Sequence, residues 1–201
     1  MLTPEEIEQN WQRFYALCGK VGEERAPALL KMLDVLGERI ATCPASHKRD
    51  YHNAFPGGLV EHSLRVLNNA VTLNKAFEWN LPRGSLIIAS LGHDLGKIGD
   101  LEKDYYVVQN DAWRVEKCGE EYKYNPDLPY VTVTDRGLFL LQHFGVCLTQ
   151  DEYMAIKLSD GFSLEENKHY VLREPVLAHV VMTADYIATK EEKISNDSEQ
   201  T

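Results

Sequence analysis

The chain has 201 residues, 44% hydrophobic and 26% charged, which fits one ordinary globular domain and excludes wholesale disorder. Its 21 basic and 31 acidic side chains leave a net charge of −10. That balance argues against a general nucleic-acid binder held by phosphate contacts, although a small basic pocket stays compatible with it. No apolar run approaches the roughly 18–20 residues of a membrane span. The opening MLTPEEIEQN lacks the basic-then-apolar pattern of a secretory signal, so the expectation is a soluble cytoplasmic protein. Cys18, Cys43, Cys118 and Cys147 form no C-x-x-C or zinc-finger spacing and read as reduced, apolar side chains.

In chain order, Thr3-Pro4-Glu5-Glu6 offers a cap hydroxyl, a first-turn proline and a capping-box Glu, opening a helix. Ile7, Trp11, Phe14, Tyr15 and Cys18 form its apolar stripe. A second helix is expected from about Ala26 to Ile40. The segment CPASHKRDYHNAFPGG (43–58) reads as an irregular loop with local positive charge. A third helix follows from about Leu59 to Ala76. A fourth, SLIIASLGHDLGK, is capped by Ser85 and apolar all round, the mark of a buried helix.

The stretch DYYVVQ-NDA-WRVEK predicts a β-hairpin near 104–118 about an Asn-Asp turn, and Tyr122–Pro129 reads as loop. Helices are expected again near Asp135, after a break at Gly145 from the capping box Thr149-Gln150-Asp151-Glu152, and from about Pro175 to Lys190. The expected organisation is one mainly α domain over 1–190, followed by a polar tail over 191–201 that frays.

The residues that carry chemistry are His62, the pair His93-Asp94, and Asp185. His62 sits inside the apolar repeat of its helix, His93-Asp94 end a helix too apolar to be a surface one, and Asp185 lies among the apolar residues of HVVMTADYIA. Burying carboxylates unpaired costs several kcal/mol, so they need a cation or a hydrogen-bonded partner. Two imidazoles and two carboxylates suit one divalent transition metal with positions left for water and substrate. The bland alternative is four separately satisfied polar core groups.

With their flanks, YHNAFPGGLVEHSLRV (51–66), LIIASLGHDLGKIGD (86–100) and LAHVVMTADYIA (177–188), these residues resemble the H…HD…D pattern of the HD-domain metal-dependent phosphohydrolase superfamily. The resemblance spans about 51–188. It implies an HD-domain helical bundle with the small hairpin as an insertion. It also implies one divalent metal ion (Mn, Co, Zn, Ni, Fe or Mg) on His62, His93, Asp94 and Asp185. The family branch with Pro-Gly-Gly-Leu and HDLGK often carries two more histidines for a second metal, where this chain has Val133 and Ser159. A mononuclear site follows, resembling those of 5′-deoxynucleotidases and of deoxynucleotide triphosphohydrolases, including compact phage enzymes that hydrolyse dATP.

The implied activity is hydrolysis of a phosphate ester or phosphoanhydride in a (deoxy)nucleotide by metal-activated water. Asp94 is the expected proton acceptor, and Lys97 the expected partner of the phosphoryl oxygens. Lys48, Arg49, His52 and Arg65 are further candidates for substrate binding. Two other readings stay open: a phosphodiesterase or exonuclease on cyclic nucleotides or short oligonucleotides, and a non-catalytic nucleotide-binding regulator. The partner is a small-molecule nucleotide, with no stable nucleic-acid or membrane partner expected and self-association left open. Such an enzyme suits nucleotide-pool housekeeping or a virus adjusting the pool in its host's cytoplasm.

Overall fold

The computed structural model describes residues 1–199, with side chains to 195. It is mainly helical: α1 (Pro4–Cys18), α2 (Ala26–Thr42), α3 (Gly58–Ala76), α4 (Arg83–Gly92), α5 (Ala112–Cys118), α6 (Val133–His143), α7 (Gln150–Lys157) and α8 (Val176–Glu199). Short 3-10 turns cover Leu95–Ile98 and Glu165–Tyr170. Among the described residues no helix is long and apolar enough to cross a membrane.

Local chemistry sets several helix starts. Both expected capping boxes form, with the Thr3 and Thr149 hydroxyls on the Glu6 and Glu152 amides and each glutamate returning to its cap backbone. α4 begins at Arg83, ahead of the expected Ser85 cap; Ser85 lies inside the helix and is buried.

α3 is the hub of the bundle and packs against α8, α4, α1 and α2. Its inner face (Leu59, Val60, Leu64, Val66, Leu67, Ala70) joins the apolar α4 (Leu86, Ile87, Ile88, Leu91) and the inner stripe of α8 (Leu177, Val180, Val181, Ala184, Ala188) in one core. Ridges of aliphatic side chains removed from water supply the driving force, about 25 cal/mol per Å2 of apolar area.

Three glycines let the backbone turn or meet another strand of chain where a side chain could not. Gly57 takes a left-handed φ of 83° as the residue before α3. A Cβ on Gly58 would lie 2.1 Å from the Asn53 carbonyl oxygen, so the 43–57 loop folds directly onto the start of α3. A Cβ on Gly96 would lie 1.9 Å from the Val133 carbonyl, which fixes α6 across the 3-10 turn after α4.

The insertion differs from the expected hairpin. β1 (Tyr106–Val108) pairs antiparallel with β2 (Tyr122–Tyr124), and WRVEK lies in α5 between them. The Asp111 carboxylate accepts from the amides of Trp113 and Arg114, and Gly119 closes the helix in a left-handed conformation. Asp111 thus caps a helix where a turn was expected. The second strand comes from Tyr122–Tyr124, a segment expected to be loop.

The end of the chain also differs. α8 runs on to Glu199, so the boundary expected at Lys190 falls inside a helix. Glu192, two residues beyond that boundary, is only 2% exposed. Residues 200–201 of the expected tail lie outside the described residues.

Candidate metal centre

Three elements converge on one point. α3 carries His62, α8 carries Asp185, and His93-Asp94 occupy the joint between α4 and the following 3-10 turn. At that joint the helix stops with His93 still helical and Asp94 at φ −105°, ψ 8°. The break aims both side chains inward, whereas consecutive residues of a continuous helix point about 100° apart.

The geometry is tight. His62 Nε2 lies 3.0 Å from Asp185 Oδ1 and 3.7 Å from Asp94 Oδ2. His93 Nε2 lies 3.5 Å from Asp94 Oδ2 and 3.8 Å from Asp185 Oδ1. His62 and His93 are 0% and 1% exposed, while the Asp185 side chain is 27% exposed and opens the cluster to solvent. The His93 Nδ1–H donates to the Ser90 carbonyl at 2.8 Å, because a carbonyl can only accept, and Nε2 is the atom turned toward the cluster.

Neither histidine's Nε2 has a hydrogen-bond partner of acceptable geometry, although both are buried. Two orphaned buried nitrogens facing two carboxylates fit the donor set of a divalent cation. His62, His93 and Asp94 also lie close enough together to share one ion.

The electrostatics point the same way. Burial alone would discharge His62, but the facing Asp185 and Glu192 carboxylates overcome it and raise the ring to about 10. Burial opposes ionisation of Asp94 as well, yet Lys97, His93 and His62 hold it far below the usual carboxylate range. Asp185 is likewise lowered against its burial by the neighbouring imidazoles, His62 first and then His93. A field that favours positive charge at this point so strongly also favours a metal cation there.

Lys97 lies beside the cluster, its Nζ 2.5 Å from Asp94 Oδ2. Burial would lower its ammonium, but Asp94 raises it, so it stays charged. His52 also reaches the centre, its ring centroid 4.7 Å from that of His62 and its buried Nε2 without a partner. Burial, then the charges of Lys97 and His62, push it down to about 3, leaving a neutral imidazole.

The other basic residues singled out in the sequence already hold carboxylates of this chain. Lys48 pairs with Glu120 at 3.4 Å, Arg49 with Glu121, and Arg65 with Glu61 at 2.5 Å. Ser159 turns its hydroxyl back to the Ile156 carbonyl at 2.9 Å, and Val133 opens α6.

Two acidic residues escape the motif reading. Asp160, solvent-exposed just after α7, has its carboxyl raised by desolvation and then by the charge of Asp94. Glu192 bonds the far side of the His62 ring, with Oε1 2.9 Å and Oε2 3.2 Å from Nδ1. Its spacing was the available signal: Glu192 follows Asp185 by seven residues, two helical turns, on one face of α8.

No protein-family model matches the chain, and neither the curated proteins nor the solved structures give a match. What the centre can do therefore follows from its own chemistry.

Proposed function

We propose that this protein is a metal-dependent phosphohydrolase of the HD-domain type, cleaving a phosphate ester or phosphoanhydride bond of a (deoxy)nucleotide. The observation that carries the reading is the pair of buried, unpartnered Nε2 atoms of His62 and His93 facing the Asp94 and Asp185 carboxylates. These four residues would hold one divalent ion. Such an ion supplies Lewis acidity toward a phosphoryl oxygen and a water acidic enough to ionise near neutral pH.

The chain's own residues supply the rest. Asp94 stays ionised, so its carboxylate can accept a hydrogen bond from the attacking water and orient it. Lys97 keeps its ammonium at the same carboxylate, where it can offset charge on the phosphoryl oxygens as the leaving group departs. Neutral His52 brings an unpartnered nitrogen that can donate to, or accept from, a substrate group. The exposed edge of Asp185 gives the substrate its approach.

A single ion is favoured because Val133 offers no ligand and the Ser159 hydroxyl is engaged with its own helix. The test is elemental analysis of the purified protein, followed by phosphate release from nucleoside mono- and triphosphates with Mn2+, Co2+, Mg2+ and Zn2+. Turnover on at least one nucleotide is expected. Silence on that panel together with cleavage of a cyclic nucleotide or a short oligonucleotide would overturn it in favour of a phosphodiesterase.

A further inference from the structure

We infer that Glu192 is a positioning residue for the metal centre: its carboxylate holds the Nδ1 proton of His62, so that the ring presents its Nε2 lone pair to the cluster. This rests on the single-metal reading of His62, His93, Asp94 and Asp185.

α8 brackets the His62 ring at both nitrogens. Asp185 Oδ1 is 3.0 Å from Nε2, and Glu192, two turns further along the same face, is 2.9 Å from Nδ1. An ionised carboxylate can only accept, so Glu192 keeps a proton on Nδ1, and a cation that replaced the proton between Nε2 and Asp185 would meet the Nε2 lone pair. His93 reaches the same state through the Ser90 carbonyl at 2.8 Å, so both rings are set alike by different acceptors.

Burying Glu192 is costly, and the chain compensates for it. The carboxylate is 2% exposed, and the Arg65 Nε stands 3.5 Å from its Oε1. Arg65, a substrate candidate by sequence, thereby serves the far side of the centre through Glu61 and Glu192. A carboxylate behind a ligating imidazole fixes the ring's orientation and raises its basicity toward the metal.

His52, His62 and Glu192 also lie close enough to suggest a separate ion. The His62 atom on that side is Nδ1, which is already hydrogen-bonded to Glu192 Oε1 and Oε2 at 2.9 and 3.2 Å, whereas Nε2 faces Asp94 and Asp185.

The experiment is titration calorimetry with Zn2+ on the full chain, comparing wild type, Glu192→Ala, Glu192→Gln and the neighbouring control Glu191→Ala. Melting curves of the metal-free proteins are recorded in parallel. Glu192→Ala is expected to weaken Zn2+ binding by about 10–100-fold. Glu192→Gln, which keeps an acceptor oxygen, recovers most of it, and Glu191→Ala binds as wild type.

If Glu192→Ala does not fold, the His62 Nδ1–H resonance of the Zn2+-loaded protein decides. It should lie far downfield in wild type and move upfield in Glu192→Gln, where the acceptor loses its charge. Equal Zn2+ affinity in wild type and a folded Glu192→Ala, or an unmoved resonance in Glu192→Gln, overturns this inference alone. Failure of wild type to bind Zn2+, Mn2+ or Co2+ overturns the metal reading and this inference with it.

Discussion

Lys97 holds the same carboxylate oxygen of Asp94 that both histidines face. Nζ is 2.5 Å from Oδ2, and the same atom is 3.5 Å from His93 Nε2 and 3.7 Å from His62 Nε2. The 3-10 turn that follows Asp94 makes this possible, because it brings a residue three positions later over the same side. One ammonium and two imidazoles thus share one acidic group, and each change among them redistributes charge for the others.

Lys97→Met should separate charge stabilisation from metal holding. An ammonium has no lone pair for a metal, so Zn2+ or Mn2+ content should stay at the wild-type level. The turnover number on the best nucleotide should fall about 10²-fold, the scale of a single charge-stabilising group. Measuring kcat and metal content on one preparation checks both. Unchanged kcat with a lowered melting temperature would make Lys97 a structural partner of Asp94 only.

Metal should stabilise the fold through the motif residues. Free Mn2+ or Zn2+ at about 100 times its dissociation constant should add about 2.7 kcal/mol to wild type, seen as a raised Tm reversed by a chelator. His93→Ala and Asp94→Ala should lose that increment. Wild-type metal content in either variant would contradict the assignment of ligands.

The acid limb of stability should report on Arg25 and Glu152, which join the start of α2 to α7 at 2.5 Å. Burial by itself would raise the Glu152 carboxyl, but the Arg25 guanidinium and the Thr149 amide hold it below 4.5. Because the folded value is depressed, the stabilisation is fully present above the unfolded value near 4.5 and is lost as pH falls through the folded one. Glu152→Gln should flatten the loss of stability below about pH 4.5 in urea titrations. At pH 7 Arg25→Met should cost about 2–4 kcal/mol, since it strands a buried carboxylate.

Gly58 and Gly145 should respond differently to alanine. A Cβ at Gly58 meets the Asn53 carbonyl at 2.1 Å, so Gly58→Ala must push the 43–57 loop off α3 and carry His52 with it. More than about 3 kcal/mol of stability should go, with reduced turnover in whatever remains folded. Gly145 has φ 78° but open space around its Cβ position, so Gly145→Ala should cost only about 1–2 kcal/mol. Thermal melts of the two variants side by side make the comparison.

The helical class, both capping boxes and the pattern His62, His93-Asp94, Asp185 were legible in the amino-acid sequence. Each rests on short-range rules: a hydroxyl three residues before a glutamate, an apolar stripe with a 3.6 period, histidines and aspartates inside apolar segments. The tertiary structure decided the rest. β2 became a strand only through its pairing with β1, a choice made across the intervening α5. Local propensity could not make it, because Asp111 serves a turn and a helix cap equally well. Lys48, Arg49 and Arg65 read as free cations until the fold supplied Glu120, Glu121 and Glu61 beside them. Glu192 stood in a charged run that resembled a solvated tail. It became a buried partner of His62 once α8 lay along α3, because burial is a property of what packs against a residue and not of the residue itself.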